Sequence, residues 1–427
     1  MAWIPFLILF VLFFSGVPIA YALMGAALFY FGVLNPDVTA DVILLSMMNM
    51  EKTFPMLSIL FFIMAGSVMS YAGVGERLQK LAEAFVGHLP GSLAQVNVVW
   101  SMLMGGVSGS ANADAAMQCM ELVPEMERCG YSKGFSAAVT AASSAVTPVI
   151  PPGINLIVYA LLAGVSLDKI FMAGFLPGIL MAVSLMLVVH VISKKRNYPA
   201  KREQKVRGTE ILKHVAESFW GLLFPFGIVI ALRTGLFTLP EIGVVSVVYG
   251  IIVGTVFYGE LRLKHIPSIL RNTVEGTASV VLIIVAARLF GLYMSSEQIP
   301  EMLMELLFGM TQNTYVMLLL INILLLLLGM FFEGGAILIV MTPLLVPVAQ
   351  RLGIDLVHFG LMCIVNIMIG GLTPPFGSMM FTCCSITGCG LRTFVKECAP
   401  FIAILLLALL LVTYIPELTL LLPELLY

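Results

Sequence analysis

The chain has 427 residues, of which 60% are hydrophobic and only 11% are charged, and its mean hydropathy is +1.05. A soluble domain carries about 25% charged residues, so this composition excludes an ordinary soluble protein and indicates an all-α polytopic membrane protein. The formal net charge is −2, and no basic cluster with interleaved aromatic residues points to nucleic acid as a partner.

Sequence motifs for common enzyme chemistry are missing. The seven cysteines contain no CxxC pair, the five histidines form no HxxxH pair, and there is no GxxxxGK[ST] phosphate-binding loop. Metal-dependent hydrolysis and ATP-driven pumping are therefore disfavoured. We do not expect the chain to be an enzyme.

The first half begins with a long apolar stretch at 3–34, which turn residues at 15–18 divide into two predicted spans. No charged n-region or small-residue cleavage site accompanies it, so we expect a retained helix and not a signal peptide. The segments that follow are a span at 54–72, an amphipathic stretch at 76–89, a hairpin at 93–125, a broken helix at 135–164 and a span at 170–192.

The second half repeats this order after a basic linker at 193–218. Its predicted segments are spans at 219–236, 240–258 and 276–295, an amphipathic stretch at 301–305, a hairpin at 313–348, a broken helix at 358–387 and a span at 397–415. If each hairpin enters and leaves on one side, each half crosses the membrane five times. An odd number of crossings inverts the second half relative to the first.

Two proline-containing stretches, 147–153 (TPVIPPG) and 371–377 (GLTPPFG), interrupt long apolar segments. Consecutive prolines remove backbone donors and clash with the preceding turn, so neither segment can be one unbroken helix. A break at membrane depth is tolerated only where its freed backbone groups are buried in protein or line a polar cavity. The two breaks therefore mark a predicted site.

The breaks belong to an internal repeat. A gapless shift of 223 residues superposes 106–177 on 329–400, and four of the five prolines in each window coincide. Paired halves with interrupted spans at matching positions are typical of secondary transporters that bind their substrate where the repeats meet. We predict two inverted repeats, 1–192 and 219–427.

The positive charges support one topology. In it, 17 of the 22 lysines and arginines fall on one side of the membrane, eight of them in the 193–214 linker, while the acidic 297–301 loop lies on the other. The positive-inside rule then predicts that this linker is cytoplasmic and that both termini are periplasmic. If either hairpin is counted as a true crossing, the positive charges are no longer concentrated on one side.

The predicted hairpin turns, 105–114 and 329–335, combine small residues with Ser, Asn and carboxylate side chains. Small residues allow the chain to reverse inside the protein, and the polar side chains offer ligands that hydrocarbon would not tolerate unpaired. Single Gly or Ser residues in membrane helices are commonly packing residues. Their concentration opposite a proline break favours ion or substrate binding.

The hairpin GGVSGSANADA with the breaks VTPVIPPG and GGLTPPFG resembles the large membrane subunit of tripartite ATP-independent periplasmic (TRAP) transporters, along essentially the whole chain. The resemblance implies an elevator-type carrier of the ion-transporter superfamily in the bacterial inner membrane. It also implies coupling to two or more Na⁺ ions, a soluble periplasmic substrate-binding protein and a small four-helix membrane subunit as partners, and contact with membrane lipids.

The same resemblance implies specific ligands. One Na⁺ is expected between the first hairpin and the first break, at Ser108, Ser110, Thr147, Ile150 and Pro152. A second Na⁺ is expected at Gly329, Gly370, Thr373 and Phe376. The substrate, a small organic acid, is expected near Ser110, Asn155, Glu333 and Ser378.

Several residues leave alternatives open. Glu333 stands where relatives commonly carry Asp, and Thr147 where they commonly carry Gly, which leaves the identity of the acid open. Asp114 is either a charge at the start of the outgoing hairpin helix or a substrate or proton contact. Arg288 either extends its charge to the membrane surface, or pairs with a subunit or lipid headgroup, or binds substrate.

The leading interpretation is Na⁺-driven uptake of a small organic acid, such as a sialic acid, a C4-dicarboxylate or a related carboxylate, within a tripartite complex. The alternative within transport is a self-sufficient dicarboxylate or citrate symporter that needs no binding protein. A membrane enzyme would need a nucleophile and base, or a metal cluster, at one depth. The sequence contains no such set.

Overall fold

The computed structural model describes residues 3–48, 56–202, 206 and 208–426, and these contain helices but no strand. The predicted all-α class is confirmed. The α-helices of the described residues are α1 (Ile4–Phe14), α2 (Ile19–Phe29), α3 (Ala40–Met48), α4 (Leu57–Tyr71), α5 (Val74–Val86), α6 (Ser92–Gly105), α7 (Ala111–Arg128), α8 (Lys133–Ser144), α9 (Ile154–Ala163), α10 (Leu167–Arg196), α11 (Gly208–Thr234), α12 (Leu239–Ile252), α13 (Ile266–Ser296), α14 (Ile299–Met310), α15 (Thr314–Gly329), α16 (Gly334–Arg351), α17 (Leu356–Gly370), α18 (Ser378–Thr387), α19 (Leu391–Tyr414) and α20 (Glu417–Leu426). Wider π-helical turns extend α2 over Tyr30–Leu34 and α12 over Val253–Phe257, and a 3₁₀ turn at Leu263–His265 precedes α13.

Helix starts follow local capping chemistry. The Asp355 carboxylate accepts the backbone N–H groups of Val357 and His358 at 2.7 and 3.2 Å, which satisfies two otherwise unpaired donors at the start of α17. Asn313 caps α15 in the same way. Such caps fix where the membrane helices begin, and hence the depth of the residues that follow.

The helices are interrupted at both predicted turns and at both predicted proline breaks. Helices α6 and α7 make the first hairpin and α15 and α16 the second, while α8 with α9 and α17 with α18 are the halves of the two broken helices. The chain between each pair of halves is non-helical, at 145–153 and 371–377. Both breaks contain a cis peptide bond between their consecutive prolines.

The connection between the two halves is shorter than the predicted linker 193–218. Helix α10 continues to Arg196 and α11 begins at Gly208. Basic side chains in the last turn of α10 interact favourably with its C-terminal dipole, so the helix persists into the charged sequence. Part of the predicted linker, including Lys205 and Arg207, and the start of the predicted span 54–72 lie outside the described residues.

The amphipathic segments are also helical. The predicted 76–89 stretch is α5, and the predicted 301–305 stretch is part of the longer helix α14. Helix α4 meets α5 at a bend of 68°. Such a bend suits a chain that leaves an apolar span and continues along a surface, as the charged face of α5 requires.

Six helices of the described residues are long and apolar enough to cross a membrane by themselves, or seven if α4 and α5 count as one bent span. The six are α10, α11, α12 with its π-helical extension, α13 with its preceding turn, α16 and α19. The remaining apolar helices have 10–17 residues. Length and composition therefore identify a multi-pass membrane protein without giving its sidedness.

The helices pack into two groups. The hairpin unit consists of α6–α10 and α15–α20, and the scaffold unit consists of α1–α4 and α11–α13. Amphipathic α5 contacts α11 and α6, and α14 contacts α13 and α16, so each joins one group to the other. Phe171 and Phe394, which the 223-residue repeat superposes, are both fully buried. The core of the hairpin unit thus contains matching positions from both repeats.

Candidate functional site

The first hairpin turn lies against the first break. A Cβ atom placed on Gly109, whose φ is +60°, would lie 3.0 Å from the Pro152 carbonyl oxygen. A Cβ atom on Gly105 would lie 3.0 Å from the Thr147 carbonyl oxygen and 2.7 Å from the Ile150 side chain. Glycine is therefore needed for this approach. The residues predicted for the first Na⁺ come from these two segments, which the fold brings together.

The second turn meets the second break even more closely. A Cβ atom on Gly370 would lie 2.6 Å from the Gly329 Cα atom. The Phe376 backbone N–H donates to the Met330 carbonyl oxygen at 3.1 Å. The Thr373 hydroxyl donates to the Ile369 carbonyl oxygen at 2.7 Å, which leaves its lone pairs available. The residues predicted for the second Na⁺ also lie on adjoining segments.

The first contact contains oxygen atoms that lack a partner. The Ser108 hydroxyl oxygen and the Asp114 Oδ1 atom are buried and have no hydrogen-bond partner in the described part of the chain. Buried oxygens of this kind are costly unless a ligand satisfies them. Hydroxyl, carboxylate and carbonyl oxygens are the ligands that hard cations prefer, so the residues present fit a small cation.

Asp114 is fully buried, and its Oδ2 atom accepts three hydrogen bonds. The donors are the hydroxyls of Ser101 and Thr147, at 2.7 and 2.9 Å, and the Gln118 side-chain amide, at 2.9 Å. Of the two interpretations left open by the sequence, a helix-start charge describes its position in the first turn of α7. Its burial and its bond to Thr147 link it to the predicted ion site, which the sequence did not suggest.

A cavity of about 640 Å³ lies beside the two turns. All four residues predicted to contact the substrate, Ser110, Asn155, Glu333 and Ser378, line it. The 223-residue repeat superposes Ser110 on Glu333 and Asn155 on Ser378, so each repeat contributes the same two positions. The Ser110 hydroxyl oxygen also accepts the Ala113 N–H at 3.5 Å as the cap of α7.

Helix ends give the site its electrostatic character. Four helices, α7, α9, α16 and α18, begin with residues that line the cavity. Four others, α6, α8, α15 and α17, end at the turns and breaks. Helix N-termini carry partial positive charge and favour anions, while the carbonyl-rich C-termini favour cations. The arrangement therefore suits an anion in the cavity and cations at the two contacts between turn and break.

The scaffold unit supplies the opposite wall of the cavity, which sequence reasoning missed. Ser67 and Ser70 of α4 and Asn272 and Ser279 of α13 line it. These residues recur at helical spacing within apolar segments, and that spacing is the signal that could have identified them. None of the described lining residues is a lysine, arginine or histidine, and Glu333 is the single carboxylate among them.

The remaining charged residues lie away from the cavity. Arg288 is exposed on α13, as expected for an arginine that faces lipid or a subunit. Glu125 pairs with Lys201 at 3.0 Å, and Glu127 lies 4.0 Å from Lys133. Lys201 also pairs with Glu83 of α5 at 2.9 Å, so the connection between the two halves ties α5 to the first hairpin.

Comparison with known proteins gives consistent matches over nearly the whole chain. The family of the tripartite ATP-independent periplasmic transporter, DctM component, matches residues 6–418. The sialic acid TRAP transporter large permease protein SiaM of Vibrio cholerae is 37% identical over 97% of this chain and 96% of its own. The C4-dicarboxylate TRAP transporter large permease protein DctM of Pseudomonas aeruginosa is 34% identical over 91% of each.

One solved structure supports the fold. The structure of Neisseria gonorrhoeae MtrF, described as representing a class of antimetabolite efflux pumps, aligns with a TM-score of 0.56 over 90% of this chain and 85% of its own. The sequence identity is 10%. At that identity the likeness concerns the arrangement of helices alone.

Proposed function

The chain belongs to the DctM component family of tripartite ATP-independent periplasmic transporters, and from that premise we propose that it carries a small organic acid across the membrane by coupling to Na⁺. It is a transporter permease and not an enzyme. The observation that carries the proposal is the cavity beside the turns, where four helix N-termini and the predicted substrate residues meet.

Two or more Na⁺ ions would be held at the contacts between turn and break. Ser108, Ser110, Thr147, Ile150 and Pro152 would hold one ion. Bound Na⁺ would supply positive charge that attracts the acid. Asp114 would offset the charge of this ion through its carboxylate, and the unpartnered Ser108 and Asp114 oxygens support this assignment.

The second ion would lie at Gly329, Gly370, Thr373 and Phe376. These residues offer neutral oxygens only: carbonyls and the Thr373 hydroxyl. The C-terminal ends of α15 and α17 add partial negative charge there. A full carboxylate in one site and none in the other is a difference that titration with Na⁺ would detect.

Movement of the hairpin unit against the scaffold unit would carry the substrate across the membrane, as an elevator. The 223-residue sequence repeat supports this mechanism, since two inverted repeats of five crossings each would present the same site to each side in turn. The chain would lie in the bacterial inner membrane with its basic 193–214 segment in the cytoplasm and its termini in the periplasm.

This orientation has a direct test. In intact cells, a Lys195→Cys variant should resist an impermeant thiol reagent applied from outside, whereas a Glu301→Cys variant in the first turn of α14 should react. Both positions are exposed. Reaction at Lys195→Cys with protection at Glu301→Cys would reverse the assigned orientation.

The partners would be a small four-helix membrane subunit and a soluble periplasmic substrate-binding protein, with lipids around the exposed apolar helices. The tripartite description of the family and the large-permease names of its relatives support this assembly. A substrate of the sialic acid or C4-dicarboxylate class would fit a cavity of about 640 Å³, because small-molecule sites commonly enclose about 300–1,000 Å³.

Reconstituted uptake tests the proposal. Vesicles containing the chain and its membrane partner should accumulate labelled sialic acid or succinate when an inward Na⁺ gradient and the binding protein are both present. Replacing Na⁺ by choline at fixed pH should abolish accumulation. Equal uptake in choline would refute Na⁺ coupling, and full uptake without the binding protein would favour the self-sufficient symporter.

A further inference from the structure

The scaffold wall of the cavity carries a polar stripe on two otherwise apolar helices. On α4 it contains Ser67 and Ser70, and on α13 it contains Asn272 and Ser279. Both helices turn a single face toward the cavity, since the lining residues are spaced three or four apart: Ile63, Gly66, Ser67 and Ser70 on α4, and Asn272, Gly276, Ser279, Val280 and Ile283 on α13. The stripe is separate from the residues assigned to the turns and breaks.

These side chains have few partners within the protein. The Ser67 hydroxyl oxygen is buried without a hydrogen-bond partner among the described residues. Asn272 and Ser279 are exposed toward the cavity and have no side-chain hydrogen bond to the described part of the chain. Polar side chains in membrane spans are costly unless they face water, protein or a ligand. On the cavity wall these side chains can face water or a ligand, although they lack a partner within the part of the protein that the structure describes.

The stripe runs in one direction from the turns. Ile63 and Ile283 form its apolar end. Ser70 and Asn272 form the other end, where Tyr71 of α4 stacks on His265, just before α13, with ring centroids 5.3 Å apart, and where α5 follows α4. Arg202 of the connection between the halves donates its backbone N–H to the Gly87 carbonyl oxygen just after α5. The polar stripe therefore leads from the turns toward the membrane face that carries this connection.

Aromatic rings of the second turn pack against the scaffold unit. Phe332 at the second turn packs on Phe13 of α1 with ring centroids 4.0 Å apart, and Phe331 packs on Phe14 at 5.9 Å. This contact is apolar, whereas the stripe offers hydrogen-bonding side chains to the cavity.

We infer that Ser67, Ser70, Asn272 and Ser279 form a second substrate-binding surface, on the scaffold unit, that hydrogen-bonds the acid on its way between the turns and the face carrying the connection. The inference rests on the proposed function. The surface is uncharged, so hydrogen bonds alone would hold the carboxylate and hydroxyl groups of the acid there. Specificity would thus depend on the scaffold as well as on the hairpin unit.

Equilibrium binding separates this role from that of the turns. The full chain with its membrane partner, in lipid nanodiscs, would be titrated with labelled sialic acid and with succinate at saturating Na⁺. Loss of one or two hydrogen bonds in Asn272→Leu and Ser67→Val should raise the Kd about 2- to 10-fold. The Na⁺ concentration for half-maximal binding should stay unchanged, because neither residue lies at a contact between turn and break.

Two variants control for damage to the fold. Thr255→Val removes a hydroxyl that bonds the Ile251 carbonyl oxygen within its own scaffold helix, away from the cavity, and should leave the Kd unchanged. Asn272→Ser keeps a hydrogen-bonding group and should fall between wild type and Asn272→Leu. An unchanged Kd in Asn272→Leu and Ser67→Val, or an equal rise in Thr255→Val, would overturn the inference.

Failure of the proposed function has a different signature. If the wild-type chain binds neither acid in Na⁺ although it is folded, the proposed function falls and the second surface with it. If the wild type binds an acid with Na⁺ dependence and the scaffold variants bind equally well, the second surface alone is refuted.

Discussion

The two contacts between turn and break share a backbone design but differ in charge. In the first, Asp114, Gln118 and Thr147 form a buried hydrogen-bonded cluster. The 223-residue repeat superposes these three residues on Ile337, Met341 and Gly370, which are apolar or lack a side chain. The same hairpin and break can therefore be built around a carboxylate or around apolar packing.

This difference separates what the fold requires from what an ion site requires. Both contacts need glycine at the closest approach, because the backbones of turn and break nearly touch. Only the first contact has a formal charge one hydrogen bond away from a predicted ligand, Thr147. If both contacts bind Na⁺, the first should bind it more tightly.

Replacing Asp114 by Asn should have the largest effect. Asn keeps the volume and can still accept a hydrogen bond from Thr147, but it removes the negative charge. A hydrogen bond to a charged group contributes about 1.5–3 kcal/mol, so the Na⁺ concentration for half-maximal uptake should rise about 10-fold or more. Uptake measured against Na⁺ concentration checks this.

Glu121→Gln is the matched control, since it removes the same charge from the exposed face of the same helix. It should leave the Na⁺ response near that of wild type. An unchanged Na⁺ response in Asp114→Asn would remove the distinction between the two contacts.

A test of the shared backbone design uses Gly370. A Cβ atom there would lie 2.6 Å from the Gly329 Cα atom, so Gly370→Ala forces two backbones apart. Overpacking of this kind costs about 1–3 kcal/mol, and the thermal unfolding temperature in detergent should fall. Gly291→Ala, in a scaffold helix with no atom within 4 Å of the added methyl group, should not lower it. Equal unfolding temperatures would mean that close approach is dispensable.

Thr373 and Glu333 separate ion binding from substrate binding in the second repeat. Thr373→Ala removes one neutral ligand oxygen and should weaken Na⁺ binding by about 0.5–1.5 kcal/mol, less than Asp114→Asn. Thr382→Ala, which loses a similar hydroxyl bonded to the Ser378 carbonyl oxygen, is its control.

Glu333→Ala should instead change the concentration of the acid that gives half-maximal uptake. If Glu333→Ala changed only the dependence of uptake on Na⁺, Glu333 would belong to the ion site and not to the substrate site.

Substitution of Lys201 should have the smallest effect on stability. Lys201 pairs with the first hairpin and has no counterpart at the second. Its ammonium group pairs with Glu83 and Glu125, whereas the repeat superposes Glu125 on Val348, so the second hairpin lacks this tie. Lys201→Met should cost about 1 kcal/mol or less, because the side chain is 37% exposed and solvent screens the pair. A drop in unfolding temperature larger than that of Gly370→Ala would contradict this order.

The pH dependence of the ion pairs of Lys201 follows from the pKa of its ammonium group. Partial burial would lower the pKa of Lys201, but the hydrogen bonds and charges of Glu83 and Glu125 raise it above its ordinary value. Because the pKa of Lys201 is higher in the folded state, the ion pairs stabilise the fold fully at pH values below the pKa of an unfolded lysine, about 10.4. This stabilisation is lost as the pH rises through the pKa of the folded state. The difference in unfolding temperature between wild type and Lys201→Met should therefore be constant from pH 6 to about 9.

The positions at which helices are interrupted can be predicted from the sequence because their causes are local. Consecutive prolines end α8 and α17 regardless of surroundings, and runs of small polar residues such as 105–110 mark turns. The length of the 193–218 connection was predicted less well. Helix α10 continues through Lys194–Arg196 because the C-terminal dipole of the helix stabilises these positive charges. A boundary predicted from hydropathy alone does not take this interaction into account.

The partners of Asp114 could not be predicted from the sequence. Ser101, Gln118 and Thr147 lie on three different elements, up to 46 residues apart, and nothing local specifies that their side chains converge. The same holds for Asn272, whose place on the cavity wall depends on how α13 packs beside the turns. The family resemblance, by contrast, was enough to select Ser110, Asn155, Glu333 and Ser378, which all line the cavity.

The lack of a basic side chain among the described cavity residues has an electrical consequence. Under the proposed function, no lysine, arginine or histidine of the described cavity wall would neutralise the acid, so the charge that crosses the membrane would be set by the acid and the ions that travel with it. With two Na⁺ ions, a monoacid would move one net positive charge inward per cycle, and a diacid would move none. Each charge gains about 2.3 kcal/mol per 100 mV, so the membrane potential would power accumulation of monoacids while leaving diacids to the Na⁺ gradient alone.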